Sequence, residues 1–185
     1  MRAVSSPTKE PAMKQFSKRI AVMHWLIVLL FIIALYLGHQ LADTPNSADK
    51  LSLFPIHFLI GDLILLLTLL RIYFRKRDGE PAAANANPLL NKLAGITHVL
   101  LNLVAIAVAV SGAVTALSSG VINAVKAGDP ALIPDFEKVA AHEFHELFIG
   151  VFVALVVFHV AAALYHQFIV KDQLLRRIMI KRFPD

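Results

Sequence analysis

Apolar residues along the chain neither alternate nor recur as narrow amphipathic stripes. They gather in four dense runs, Ile20–Gly38, Leu53–Phe74, Leu93–Leu117 and Glu146–Phe168. Crossing a hydrocarbon core of about 30 Å takes about 20 helical residues, and each run is near that length. The pattern predicts four transmembrane helices, because a spanning segment must satisfy its backbone polar groups internally. Polar and turn-forming residues separate them. Gln40–Ser52 contains the turn sequence Thr44-Pro45-Asn46-Ser47. Asp78–Pro88 is rich in Ala, Asn and Pro and reads as irregular. Ser118–Ala141 holds Pro130 and Pro134, with room for a short surface helix near Val121–Lys126. Residues 1–14 read as a polar, mobile tail, and the fourth helix is expected to run past the membrane as an amphipathic tail through Arg182. No internal repeat is visible. The expected fold class is all-α: an integral membrane four-helix bundle, one membrane domain over residues 1–185, with cofactors in its core.

Composition agrees. Of the 185 residues, 57% are hydrophobic, and the mean hydropathy is +0.66. A soluble domain of this size is far less apolar. There is no cysteine, which excludes disulfides, thiolate metal sites and covalent haem attachment through cysteine.

Charge orients the bundle. The formal charge is +5. Basic residues cluster at Lys9, Lys14, Lys18 and Arg19, at Arg71, Arg75, Lys76 and Arg77, and at Lys171, Arg176, Arg177, Lys181 and Arg182. The other two connections hold Lys50, Lys126 and Lys138 against Asp43, Asp49, Asp129, Asp135 and Glu137. The positive-inside rule puts both termini in the cytoplasm. Every basic cluster flanks a span, so nucleic-acid binding is not expected. The first run has a basic lead like a signal peptide, but it is as long as a full span and no small-residue cleavage site follows, so it reads as a retained helix.

Histidines carry the candidate chemistry. Ionisable side chains inside a membrane are costly and mark function. His145 and His159 are fourteen residues apart on the fourth run. That is a rise of about 21 Å, with the two side chains within about 40° of each other. With the topology above, His24 and His159 lie toward the cytoplasmic side, and His57 and His145 toward the outer side. Depth alone pairs His24 with His159 and His57 with His145, each pair suited to the two axial positions of a b-type haem. Two imidazoles leave no iron position for O₂ or a substrate, which favours electron transfer. A single such histidine reads equally well as a hydrogen-bonded core residue; four at two matched depths do not.

Other polar residues are weaker candidates. His39 lies fifteen residues after His24 and is a rival ligand, but about 60° out of register and at a helix end. His142-Glu143-Phe144-His145 fails as a zinc motif, since H-E-x-x-H needs histidines four apart. His142 reads as an outer-surface residue, and His98 and His166 as propionate contacts, quinone-pocket residues or packing. Gly61, Gly112 and Gly150 suit either close approach of a macrocycle or close helix packing. Asp62, near the middle of the second run, is expected either to be protonated and hydrogen-bonded or to face a wet or basic interior. Arg19, Arg71 and Lys171 are candidate propionate partners by charge and depth. No catalytic residue is assigned.

Taken in order, Met23-His24-Trp25-Leu26, Ile56-His57 with Gly61, His145-Glu146, His159-Val-Ala-Ala-Ala-Leu-Tyr-His166, and Lys171-Asp172 with Leu174, Leu175 and Arg176 make the chain resemble the bacterial cytochrome b561 family. These are small di-haem membrane cytochromes related to the cytochrome b subunits of hydrogenases and formate dehydrogenases. The likeness covers Phe16 to Arg182, and its specificity lies in order and spacing rather than in any one motif. It implies two haem b groups on His24, His57, His145 and His159, with electrons moving between a donor and ubiquinone. Some family members look like superoxide oxidases, so superoxide:ubiquinone oxidoreductase is one expected activity. The outer connections, with three lysines against five acids, suit a basic soluble redox protein better than an anion. Two alternatives stay open: a membrane-anchor subunit of a larger dehydrogenase, and a non-redox small membrane transporter.

Overall fold

The computed structural model describes residues 15–79 and 88–181. The expected mobile tail, most of the Asp78–Pro88 connection and Arg182 lie outside them. Four long helices form: α1 (Lys18–Asp43), α2 (Ala48–Asp78), α3 (Pro88–Ser119) and, after the short α4 (Val121–Ala127), α5 (Ala140–Tyr165). All four long helices are long and apolar enough to cross a membrane, with mean hydropathy of 2.2 to 2.7 over their most apolar stretches. The first three extend beyond the apolar runs that predict them at both ends, and α5 does so at its start, because polar residues there continue the helix outside the hydrocarbon.

Local signals set the ends. Ser47 caps α2, its side chain accepting from Lys50 N at 3.2 Å. The expected surface helix is α4, bounded by Gly120 at φ 88° and Gly128 at φ 66°, left-handed conformations that suit glycine. Asp129 and Asp135 each cap a 3-10 turn, Pro130–Leu132 and Phe136–Lys138.

The close backbone packings are α3 on α5, α1 on α2 and α2 on α3. In the middle of the bundle, Phe31 of α1 stacks on Phe152 of α5 with ring centres 4.2 Å apart. Around them Leu37, Ile60, Ile64 and Ala105 complete a buried cluster. A second cluster, Leu51, Phe54, Ala116, Val121, Ala124 and Ile133, seats α4 across one end of the bundle. Elsewhere the long helices expose large apolar side chains, such as Ile32 at 61%, Leu59 at 59% and Phe158 at 71%. An apolar exterior of this extent suits lipid rather than water.

The opposite, basic end differs from expectation. Instead of continuing as an amphipathic helix, α5 widens into a π-helical turn over His166–Val170 and then breaks. Lys171 and Gln173 take left-handed φ of 60° and 58°, and a 3-10 turn, Leu174–Ile178, follows. The segment folds back on the start of α1: Phe16 N donates to Arg177 O at 3.0 Å, and the Trp25 indole to Ile178 O at 3.1 Å. Asp172 steadies the break by accepting from Leu174 N at 3.3 Å and from the His166 ring at 2.6 Å. Nearby, Arg19 pairs with Asp78 at the end of α2, Ser17 Oγ donates to the same carboxylate at 2.7 Å, and the Arg19 guanidinium lies over the Phe74 ring.

Candidate functional site

Two groups of histidines occupy the bundle, one toward each end. At the α4 end, His57 of α2 faces His145 of α5, with ring centres 6.4 Å apart and ring planes at 86°. Metal–imidazole bonds run to about 2.0–2.1 Å, so two imidazoles on opposite sides of one metal place their ring centres about 6 Å apart. His57 and His145 have that spacing.

The surroundings of His145 select its tautomer. Its Nδ1 lies 2.9 Å from Val108 O and 3.1 Å from Ser111 Oγ, both on α3. A carbonyl only accepts, so Nδ1 carries the proton and Nε2 keeps its lone pair. This is the arrangement of metal-ligating histidines, which donate their other ring N–H to an oxygen. Gly112 lets the ring lie close to α3: a Cβ there would meet His145 Cε1 at 2.9 Å. The Gly112 reading therefore resolves in favour of the imidazole it faces. A Cβ at Gly61 or Gly150 would meet nothing within 4 Å, so these two glycines make no close packing contact. His57 Nδ1 is buried without a hydrogen-bond partner. Gly38 approaches the same ring, its would-be Cβ 3.7 Å from His57 Cε1.

At the basic end, His24, His98 and His159 gather with Arg71, within electrostatic reach of one another. His98 of α3 packs edge-on against His159, ring centres 5.5 Å apart. His24 packs against Trp25 at 5.3 Å. Arg71 Nη1 reaches Asn102 Oδ1 at 3.4 Å, and Asn102 Nδ2 donates to His98 O at 2.8 Å. This polar group ties α2 to α3 beside the histidines.

The remaining candidates separate from these groups. His39 is exposed at the end of α1 and pairs with Asp43 at 3.3 Å. His142 lies beside the Phe136 ring at 5.3 Å and 3.8 Å from Glu146. Asp62 sits on an exposed face of α2 rather than toward the interior. Arg19 is engaged by Asp78, and Lys171 sits at the helix break. His166 is held by Asp172 beside a cleft of about 770 Å³, lined by Leu90, Phe158, Ala161, Ala162, Tyr165, His166 and Val170. Ser111 and Val108 were not apparent as functional from sequence, because Val108 acts through its backbone and Ser111 lies on a helix without a candidate ligand of its own.

The match to the family model of prokaryotic cytochrome b561 runs over residues 15–181. The chain belongs to the prokaryotic cytochrome b561 family. It is similar to "Cytochrome b561 homolog 1" of Escherichia coli (strain K12), 27% identical over 176 residues, covering 92% of this chain and 99% of that protein. It is also similar to "Probable superoxide oxidase CybB" of Yersinia pestis, 27% identical over 176 residues, covering 91% of this chain and 98% of that protein. The protein is thus a bacterial multi-pass membrane cytochrome of the electron-transfer class, and membership of a b-type family implies haem b. The donor set fits that group. It offers imidazoles, one with its Nδ1 committed to a carbonyl and its Nε2 free, on helices that also carry Gly61 and Gly150, at which a Cβ would meet nothing within 4 Å.

Proposed function

We propose that the protein holds two haem b groups and carries electrons across the bacterial inner membrane to a quinone, with both termini cytoplasmic. His57 and His145 would bind the outer haem, and His24 and His159 the inner one. The observation that carries this reading is the His57–His145 pair, with its 6.4 Å ring separation and the Val108 contact that leaves His145 Nε2 free. Held by these imidazoles, each haem would supply one-electron transfer. His145 and His159 lie fourteen residues apart on one helix, so α5 spans the route between the two levels. Arg71, within electrostatic reach of His24 and His159, is placed to offset the negative charge of a propionate. Arg19, engaged by Asp78, is a weaker candidate for that role, as is Lys171 on its exposed turn.

Quinone reduction needs protons as well as electrons. The cleft beside His166 opens at the basic end between α3 and α5, with apolar walls for a prenyl chain. The His166–Asp172 pair at its edge supplies an imidazole and a carboxylate for proton transfer.

The donor is either superoxide, as the name of the Yersinia relative suggests, or a soluble redox protein. The balance of three lysines and five acids in the outer connections favours a basic protein, since the field would repel an anion.

Haem content and a reduced-minus-oxidised spectrum of the purified protein test the di-haem reading. Two haems per chain with split b-type bands are expected, and His145→Ala should remove or perturb one haem only. One haem per chain, or loss of neither in the variant, would refute the assignment. Stopped-flow reduction by superoxide and by quinol, run side by side, identifies the partners.

A further inference from the structure

The third transmembrane helix contributes none of the four proposed axial ligands, yet it makes the most specific contacts to one of them. Three features of α3, at Val108, Ser111 and Gly112, converge on His145. Val108 O accepts from Nδ1 at 2.9 Å. Ser111 Oγ lies 3.1 Å from the same nitrogen, while its hydroxyl donates to Val108 O at 3.0 Å. Gly112 removes the Cβ that would strike the ring at 2.9 Å. Ser111 is itself buried, and Thr115 Oγ1 donates back to its carbonyl at 2.9 Å, which steadies this turn of the helix. Across the pair, His57 Nδ1 is buried and has no hydrogen-bond partner.

We infer that Ser111 is a positioning residue that, with Val108 O and Gly112, makes the axial ligation of the outer haem electronically unequal and lowers its potential. Partial withdrawal of the Nδ1 proton toward two oxygens makes an imidazole a stronger donor to a metal, which favours the oxidised iron. His145 has two such oxygens and His57 has none. Ser111 acts through His145 and touches no substrate, so its effect appears in potential rather than in a catalytic step. The inference rests on the di-haem reading.

Ser111→Ala removes the oxygen and leaves the Val108 carbonyl and the backbone in place. Ser118→Ala is the control: Ser118 also lies on α3 and donates to its own helix, to Val114 O at 2.7 Å, but it is exposed. Haem content of the wild type is measured first, followed by anaerobic optical redox titration of wild type and both variants in detergent. The expected result is two haems per chain, an upward shift in the midpoint of one haem in Ser111→Ala with the other unmoved, and no shift in Ser118→Ala. Gly112→Ala should push the ring off its seat and alter the low-spin electron paramagnetic resonance signal of the same haem. Two haems with no shift, a downward shift, or a common shift of both in Ser111→Ala overturns the role of Ser111 alone. Fewer than two haems in the wild type overturns the di-haem reading and this inference with it.

Discussion

At the scale of single residues, the histidines differ in what holds them. His145 is gripped by two oxygens and a glycine on a neighbouring helix, His159 has the His98 ring against it, and His57 has a buried nitrogen without a partner. Asp62 provides the contrast. Sequence leaves two possibilities for a carboxylate near the middle of a span, a protonated, hydrogen-bonded group or one facing a wet interior, and the structure turns it outward. A charge there faces hydrocarbon at a cost of several kcal/mol unless it is protonated or reaches polar groups. Asp62→Leu is therefore expected to leave haem content and haem midpoints unchanged. Haem content and a redox titration check this, and loss of a haem would show that the carboxylate does serve the interior. The rotation of α2 that decides the matter was not readable, because a long helix that is apolar on all sides gives no stripe to mark its inner face.

The elements show why the ends of the bundle behave differently. At the α4 end, two glycines with positive φ let the chain leave α3 and make one short helix before two 3-10 turns lead it to α5. Gly120→Ala would force a left-handed conformation on a side chain, at a cost of about 1–2 kcal/mol. Thermal unfolding in detergent should show a lower midpoint, with the haem spectrum retained at low temperature. At the basic end, α5 stops as a regular helix at Tyr165 and the chain folds back on α1. Periodicity favours a continued amphipathic helix there. Two of the competing interactions are distant in sequence, Trp25 with Ile178 O and Phe16 with Arg177 O, and a third, Asp172 with the His166 ring, closes over the break itself. The short helix Val121–Ala127 and the four long helices were legible because each depends on residues next to one another.

For the whole molecule, the distribution of charge and the missing cysteines combine into a clean test of orientation. A single cysteine introduced at Lys126, on the exposed part of α4, should react with a membrane-impermeant thiol reagent in intact cells. One placed at Arg75, in the last turn of α2, should react only after the membrane is opened. The reverse pattern would invert the proposed direction of electron flow. In the proposed orientation, the acidic balance of the connections at the α4 end also constrains the donor, since steering depends on the sign of the field at the surface where the donor arrives.

Sequence by itself determined the number of membrane helices, the family likeness, and the height of each histidine along its own helix. These follow from hydropathy and from a rise of about 1.5 Å per residue, both properties of one segment at a time. Tertiary structure brought the His57 and His145 rings, already paired by depth, to 6.4 Å, and decided the other meetings: His98 with His159, Val108 and Ser111 with the imidazole of α5, and Trp25 with the returning tail. Those meetings depend on how far each helix is rotated and shifted against its neighbours. In an apolar bundle, packing between helices sets that rotation, and small residues such as Gly112 permit the closest approach.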